Sequence, residues 1–458
     1  MGGPEKGLQR EGHALMRNAT ILLSGAVLGA AAVIGVTQSE FLGGGVANAA
    51  ARDAYRQLLV FGDVYEHIRS DYVEAPDDTK LVESAIDAML TSLDPHSSYM
   101  NPKSYRDMQV QTKGEFGGLG IEVTMENGLV KVNSPTEDGP AAKAGVKAGD
   151  LISSVDGTAI QGLTLNQAVE KMRGAVGTPV TLTLVRKDTD GPIELKVVRD
   201  VIAIASVRSR EEDDVGYIRI TQFTEKTFDG LKNAITKIKA DIPASKLKGY
   251  VIDLRNNPGG LVDQAVKVCD TFLDRGEIVS IRGRKPSDVQ RYDAQSGDLS
   301  DGKPVVILIN GVAASASEIV AGAFQDHRRA TVIGTRSFGK GSVQTIVPLS
   351  QNGGGLRLTT ARYYTPAGRS IQAKGIEPDI EIREDIPPEL VAAMQSTGEA
   401  GLKGHLANVT GGDEQQASSA YVPQDATKDN QLNYAYALLR GTENNPAFPA
   451  DPNKSFRN

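Results

Sequence analysis

One stretch, residues 304–344, constrains the fold and chemistry of this chain more than any other. It opens with a continuous apolar run, Val305–Ile309, of the length of a buried strand. A turn of small residues follows, and from Ser315 onward apolar residues recur at helical spacing. The pattern therefore predicts that Ser315 lies where a strand ends and a helix begins. Unpaired N–H groups at a helix start favour negative charge, so a nucleophile there would have oxyanion donors nearby.

A serine at the start of a helix is most often an N-cap, so Ser315 and Ser317 alone indicate no chemistry. The second half of the stretch supplies a candidate base, because Lys340 lies between two glycines in the segment SFGKG. Desolvation lowers the pKa of a lysine, and a neutral amine can take the proton of a serine hydroxyl. If Ser342–Leu349 is a strand, Lys340, Ser342 and Gln344 point the same way, and Gln344 can orient the amine by a hydrogen bond.

Asn310–Glu318 and Gly334–Gln344 together resemble the active-site signature of the carboxyl-terminal processing proteases. These are also called tail-specific proteases and are serine peptidases of family S41. The resemblance extends over roughly residues 55–385. The resemblance implies a peptidase fold and the hydrolysis of peptide bonds.

The resemblance implies that Ser315 is the nucleophile, Lys340 the general base and Gln344 the orienting third member. The choice of Ser315 over Ser317 rests on the alignment, because periodicity does not separate the two.

The segment DLRNNPGG matches the family's glycine turn. The resemblance implies that the N–H group of Gly259 or Gly260 joins that of Ala316 in an oxyanion hole, with Gly260 favoured. Asp253, at the start of the segment, is expected to be structural. Cys269 is expected to be a buried core thiol, because it lies among apolar residues of a helix.

Residues 104–200 resemble a PDZ domain, in which a glycine-rich loop presents N–H groups to the terminal carboxylate of a peptide. The peptide then adds to a sheet edge. Leu165–Met172 is the expected groove helix. The residues implied to bind the substrate tail are Gly117, Gly118, Leu119, Gly120 and Ile121.

Two residues near this module have alternative interpretations. Arg173 resembles a family arginine that couples PDZ position to the active site, although an ordinary exposed arginine at a helix end fits equally well. His96 lies in the turn LDPHS, which also resembles a family segment. It is interpreted as structural, because the family's pattern needs no histidine there.

The N-terminal residues predict export. Ala19–Val36 is almost entirely apolar, long for a signal peptide and at the lower limit for a membrane-spanning helix. Arg17 precedes it, as the positive-inside rule expects, and Ala47–Ala49 offers a small-residue cleavage site. A cleaved signal and an uncleaved inner-membrane anchor fit equally well. Both place the body of the protein outside the cytoplasm, in the periplasm.

The order of strands and helices predicts an α/β multidomain chain, with a protease core of the crotonase or ClpP type and an inserted PDZ domain. The C-terminal tail is expected to be flexible over Gly411–Ala426. A final helix, Gln431–Leu439, is expected to pack on the N-terminal helices. The expected segments are a signal or anchor over 1–49, a helical segment over 50–103, the PDZ domain over 104–200, the catalytic core over 201–385 and the tail over 386–458.

The expected activity is that of a serine endopeptidase with a Ser-Lys dyad that cleaves exported proteins near their C-termini. No cofactor or metal is expected, because the five histidines show no ligand spacing. A net charge of −7 without a basic cluster argues against nucleic acid as a partner. The expected partners are polypeptides with apolar C-termini, with an adaptor protein, the membrane and a homo-oligomer left open.

Two alternatives remain at this point. One is a catalytically inactive PDZ adaptor that binds protein C-termini, which the presence of Ser315, Lys340 and Gln344 argues against. The other is a crotonase-like acyl-CoA enzyme, which the PDZ module and the export segment make a poorer fit.

Overall fold

The computed structural model describes residues 45–187, 189–351, 353–394 and 397–450, and it forms two compact units with a boundary between Ser84 and Ala85. The first unit contains helix α1 (Gly45–Asp71) and the start of α2 (Asp78–Thr91), where the apolar periodicity predicts helices. No helix among the described residues combines the length and apolar character needed to span a membrane. The apolar segment Ala19–Val36 lies outside the described residues.

The second unit begins with the rest of α2, which is followed by strand β1 (Ser98–Met100), helix α3 (Pro102–Lys113) and strand β2 (Glu115–Gly118). Helix α3 starts at Asn101, whose side chain accepts a hydrogen bond from the N–H of Ser104 at 2.9 Å. It ends at Gly114, which adopts the left-handed conformation with φ 69°. The chain passes from this helix into a small β-rich module.

The small module is a six-stranded sheet with two short helices, α4 (Pro140–Lys143) and α5 (Leu165–Met172). Its strands are β3 (Ile121–Glu126), β4 (Leu129–Pro135), β5 (Leu151–Val155), β6 (Thr158–Ala159), β7 (Pro179–Val185) and β8 (Ile193–Val198). The order β3-β4-β5-β7-β8 leaves β3 at an edge. Strand β9 (Asp200–Ala203) then pairs antiparallel with β2, so entry and exit of the module form a two-stranded stalk.

The rest of the unit contains two sheets. Its helices are α6 (Thr227–Asp241), α7 (Val262–Asp270) and α8 (Ala316–Asp326). Its strands are β10 (Val207–Glu212), β11 (Val215–Ile220), β12 (Gly249–Asp253), β13 (Glu277–Gly283), β14 (Val289–Asp293), β15 (Val305–Ile309), β16 (Ala330–Gly334), β17 (Ser342–Pro348), β18 (Gly355–Tyr364) and β19 (Ile380–Glu381).

The central sheet has the order β10-β11-β12-β15-β16-β19 and is parallel except for the β10–β11 pair. Successive side chains of a strand point to opposite faces. Accordingly Tyr250 and Ile252 of β12 pack in the cluster formed with α6, α7 and α8, whereas Val251 packs in the cluster of the opposite face. Burial on both faces explains why strands such as β15 are apolar throughout.

The second sheet has the order β1-β18-β13-β14, and β17 pairs antiparallel with β18. The β17–β18 register shifts between Val343 and Gln344, which marks a bulge. This sheet brings the turn before β1 and the turn before β17 to the same side of the core, because β18 pairs with both strands.

The C-terminal segment packs on the core, which differs from the expectation of a flexible tail with a helix on the N-terminal helices. It contains α9 (Val391–Met394) and α10 (Asn430–Arg440). Leu432, Leu438 and Leu439 of α10 are buried against the central sheet. Within the stretch Gly411–Ala426, the N–H of Gln415 donates to the carbonyl of Ala373 at 2.8 Å. The local composition could not reveal these partners, since they lie far away in the sequence.

Candidate active site

Ser315 occupies the sharp turn between β15 and α8, as the strand-to-helix pattern predicts. Its φ of 57° and ψ of −115° are unusual for a residue with a side chain. Backbone conformations of this kind cost on the order of 1–3 kcal/mol and persist where the surrounding structure holds them. Here the N–H group of Ser315 donates to a carboxylate oxygen of Glu318 at 2.8 Å.

Lys340 lies in the turn between β16 and β17 and is half-buried. Burial lowers the pKa of Lys340, and the nearby guanidinium of Arg357 acts in the same direction. The carboxylates of Glu399, Glu318 and Asp94 oppose this effect without reversing it. The amine is therefore easier to deprotonate than that of an ordinary lysine, which is the property a general base needs.

Ser315, Lys340 and Gln344 line one cavity of about 250 Å³, together with Gly260 and Tyr363. The Tyr363 hydroxyl donates to the backbone carbonyl of Lys340. The structure thus brings the predicted nucleophile, base and third residue to the same site. Helix α3 forms part of the wall through Met108, Gln111 and Thr112.

Gln344 differs from the expected arrangement in its hydrogen bonds. Its amide nitrogen donates to the hydroxyls of Ser342 at 3.0 Å and Thr359 at 3.1 Å, and not to the Lys340 amine. Lys340 precedes β17, which starts at Ser342, and the extra residue of the bulge, Thr360, lies in the partner strand β18. Lys340, Ser342 and Gln344 nevertheless all border the cavity, as a shared face requires.

The glycine turn lies directly against the serine. A Cβ atom placed on Gly259, which has φ 100°, would lie 2.7 Å from the Cβ of Ser315. The Gly259 N–H donates to the side chain of Asn257 at 2.9 Å. The N–H groups of Gly260 and Ala316, by contrast, make no hydrogen bond within the described part of the chain. Gly260 and Ala316 thus retain donors for a ligand beside Ser315.

Glu318 was not among the candidates taken from the sequence. It is fully buried in the first turn of α8. One carboxylate oxygen accepts from the Ser337 hydroxyl at 2.6 Å and the Gly339 N–H at 2.7 Å. The other accepts from the N–H groups of Ser315 at 2.8 Å and Lys340 at 2.9 Å.

This one carboxyl group therefore joins the serine turn to the lysine turn. Burial raises the pKa of Glu318 to about 7, although the four donors act in the opposite direction. A capping rule could have identified the residue, since Glu is favoured three positions after a helix N-cap serine.

A second network surrounds the turn that contains Asp94 and His96. The buried Asp94 accepts hydrogen bonds from Ser97 at 2.7 Å and from Thr359 at 3.0 Å. Burial alone would raise the pKa of Asp94, but these donors lower it overall. Because the Thr359 hydroxyl also accepts from Gln344, it connects the Asp94 turn to a residue that lines the cavity. His96 itself pairs with Glu399 and does not line the cavity.

Asp253 lies in a buried charge network with Arg255, which fits its structural interpretation. The guanidinium of Arg255 donates to Asp253 at 2.9 Å and to Asp429 of the C-terminal segment at 2.8 Å. Cys269 is buried, and burial raises the pKa of its thiol well above the ordinary value.

The proposed tail-binding residues are divided between a strand and a loop. Gly117 and Gly118 belong to β2 and pair with β9, so they form part of the stalk and not of the loop. Only Leu119 and Gly120 form the turn that leads into β3 at Ile121. The glycine pattern could not show the pairing with β9, because that strand is distant in the sequence.

Arg173 follows the groove helix α5 and lies over the ring of Phe116 at 4.8 Å. It also pairs with Glu170 at 3.7 Å. These contacts attach it to the stalk of the small module. Its side chain does not line the cavity that contains Ser315.

Comparisons with known proteins agree with this architecture. The family model of peptidase family S41 matches residues 214–382, a PDZ domain model matches 117–197, and the model of the activating protease CtpB N-terminal domain matches 39–104. A carboxy-terminal-processing protease from Bartonella bacilliformis is 59% identical over 88% of this chain and 93% of its own length.

More distant relatives include a probable CtpA-like serine protease from Staphylococcus haemolyticus, 36% identical over 72% of this chain and 66% of its own length. Among solved structures, the photosystem II D1 C-terminal processing protease is 29% identical, with a TM-score of 0.41, over 76% of this chain and 98% of that one. Identity of this extent to the Bartonella protein establishes the family. The chain belongs to the carboxy-terminal-processing proteases, serine peptidases of family S41 that carry a PDZ domain.

Proposed function

We propose that this protease cleaves exported polypeptides near their C-termini by a Ser-Lys dyad, with Ser315 as nucleophile and Lys340 as general base. The observation that carries the proposal is the shared cavity, which Ser315 lines together with the desolvated Lys340. The histidine and acid of a conventional triad are not among the residues that line this cavity.

In the proposed reaction the neutral amine of Lys340 takes the proton of the Ser315 hydroxyl as the oxygen attacks the scissile carbonyl. The N–H groups of Gly260 and Ala316 donate to the resulting oxyanion, and one such donor is typically worth about 3 kcal/mol of barrier lowering. The Lys340 ammonium then protonates the leaving amine, which yields an ester on Ser315. A water molecule, deprotonated by Lys340, hydrolyses that ester and restores the enzyme.

In this proposal Gln344 acts through Ser342 and Thr359, because these hydroxyls receive its hydrogen bonds. It keeps the wall of the cavity next to the amine in place, and no direct bond to the lysine is required.

The PDZ domain is proposed to bind the substrate tail. Strand β3 lies at a sheet edge beside the turn formed by Leu119 and Gly120, so an extended peptide can add there as a further strand. Its terminal carboxylate would meet the N–H groups of that turn. Substrates with apolar C-termini fit this mode. Arg173 is proposed to transmit the position of the domain through the stalk, by its contact with Phe116.

Export is also proposed, from the apolar segment Ala19–Val36. The segment either anchors the protein in the inner membrane or is removed as a signal, and the remaining chain works in the periplasm in both cases. An adaptor protein and a homo-oligomer remain compatible with this arrangement.

The proposal is tested with a protein substrate that has an apolar C-terminus. We expect Ser315→Ala and Lys340→Ala each to abolish cleavage, measured by mass spectrometry of the products, while both retain binding of a peptide with the same tail. Lys340→Arg is the conservative control, and it should also be inactive because a guanidinium stays protonated. Tail binding without cleavage by the unmodified protein across a range of pH would instead favour the PDZ adaptor.

A further inference from the structure

Glu399 belongs to the C-terminal segment, beyond the residues matched by the peptidase model, and yet it is completely buried beside the lysine turn. One carboxylate oxygen accepts a hydrogen bond from the side-chain amide of Gln372 at 2.8 Å. The other is hydrogen-bonded to Nε2 of His96 at 2.8 Å. Because both oxygens are engaged, the carboxylate is held in one orientation.

The same residue holds the backbone on both sides of Lys340. On one side, the N–H group of Glu399 donates to the carbonyl of Phe338 at 2.9 Å. On the other, Gln372 accepts a hydrogen bond from the N–H group of Gly341 at 3.0 Å while it donates to Glu399. Gln372 is itself fully buried, so these contacts act away from solvent. The backbone on both sides of Lys340 is thus held by hydrogen bonds, at Phe338 to Glu399 itself and at Gly341 to Gln372, the partner of Glu399.

The partner of Glu399 extends this connection to the third candidate residue. The backbone N–H group of His96 donates to Asp94 at 2.9 Å, and Asp94 also accepts from the Thr359 hydroxyl at 3.0 Å. Thr359 in turn accepts from Gln344 at 3.1 Å. A continuous set of hydrogen bonds therefore runs from the C-terminal segment to the wall of the cavity.

We propose that Glu399 is a positioning residue for Lys340, so that the C-terminal segment completes the active site of the peptidase. This inference rests on the proposed role of Lys340 as general base. A second effect of Glu399 is electrostatic. The charged groups that act on Lys340 are Glu399, Arg357, Glu318 and Asp94. Among the carboxylates Glu399 raises the lysine pKa most, so its charge helps to set the pH at which the amine becomes neutral.

The test is the variant Glu399→Gln in the full chain, because glutamine keeps the size of the side chain and an acceptor for Gln372 but removes the charge. We expect kcat to fall about tenfold or more, since small misplacements of a catalytic group reduce rates steeply. KM for a substrate with an apolar tail should stay unchanged. The acidic limb of the pH profile of kcat should move to lower pH, because the carboxylate that stabilises the ammonium is lost.

The matched control is Glu414→Gln. Glu414 also pairs with a histidine of the C-terminal segment, His405, at 2.8 Å, but the pair is more exposed and does not contact the lysine turn. This control should keep the kcat and the pH profile of the unmodified enzyme. A role of Glu399 in stability alone would reduce the folded fraction, seen by thermal unfolding, without moving the acidic limb. An unshifted limb together with an unchanged kcat would overturn the proposal.

If Glu399→Gln does not fold, His96→Gln provides the test, because it disturbs the orientation of the carboxylate and leaves its charge. The expected result is a lower kcat with no shift of the acidic limb to lower pH, and an unchanged kcat would contradict the proposal. Lys340→Ala separates this inference from the proposed function. Full activity in Lys340→Ala refutes the base itself. An inactive Lys340→Ala beside an unaffected Glu399→Gln refutes only the positioning role.

Discussion

The fold holds Ser315 in an unusual backbone conformation and removes solvent from Lys340. The serine has a positive φ, and the lysine has lost much of its solvent. Both backbone N–H groups donate to the same carboxylate, that of Glu318. At the scale of single residues, the backbones of the proposed nucleophile and the proposed base are therefore joined by a third side chain.

We predict that Glu318→Gln lowers both activity and stability. The amide NH₂ group would face two hydrogen-bond donors, and each unsatisfied buried group costs about 1–3 kcal/mol. The loss should depend on pH. Because burial raises the pKa of Glu318 from the ordinary 4.5 to about 7, the unmodified protein is favoured at low pH and loses this contribution as pH rises through about 7.

The measurement is denaturant unfolding of both proteins at about pH 5 and about pH 8, on either side of the expected transition. The difference in the free energy of unfolding should be larger at the lower pH. Glu377→Gln is the control, since Glu377 is largely exposed and its variant should show no such trend. Equal differences at the two pH values would show that Glu318 does not ionise as described.

At the scale of elements, the site depends on the glycine turn after β12 packing directly against the start of α8. Phe223 receives and donates backbone hydrogen bonds on either side of Gly260, which holds this turn in place. The close approach requires glycine at 259, because a side chain would collide with the Ser315 side chain and with the backbone of Ala314 and Ala316.

Gly259→Ala is predicted to reduce kcat about 100-fold or more, because the added methyl group must displace Ser315 from the Gly260 and Ala316 donors. Gly302→Ala is a matched control: Gly302 also has a positive φ, 72°, but a Cβ atom there meets nothing within 4 Å. Both variants should lose about 1–2 kcal/mol of stability from the backbone conformation. Only the first should lose activity in a cleavage assay, and similar rates for the two variants would contradict the account.

At the scale of the whole molecule, the C-terminal segment is part of the folded core. Helix α10 covers one face of the central sheet, while α6, α7 and α8 cover the other. Asp429, at the start of α10, pairs with Arg255 just after β12, so the helix is joined to the strand that leads into the glycine turn. Segments from residue 94 to residue 399 contribute to the surroundings of the site.

Leu438→Ala is predicted to lower the free energy of unfolding by about 2–5 kcal/mol, as expected for a buried leucine in a packed core. Leu438 is 2% exposed against the sheet, whereas Val409, in the same C-terminal segment, is 54% exposed. Val409→Ala should therefore have little effect in the same denaturant titration. Comparable effects of the two substitutions would mean that α10 does not close the core.

The sequence was sufficient where the information is local. The apolar run before Ser315 and the glycines around Lys340 placed both residues, and the family resemblance chose between Ser315 and Ser317. It was insufficient where partners are distant: His96 and Glu399 are 303 positions apart, and no spacing rule connects them. The bulge in β18 opposite Gln344 could not be predicted for a related reason, since the register of a strand depends on its partner strand.

The central claim is that the amine of Lys340 is uncharged when it activates Ser315, and a direct titration tests it. The lysine side chains are isotope-labelled, followed by NMR across pH, and Lys340 is assigned by its absence in Lys340→Ala. We expect a midpoint below the ordinary value of 10.5 and a cleavage rate that rises with pH through the same midpoint. A Lys340 amine that stays protonated throughout the pH range of full activity would contradict it.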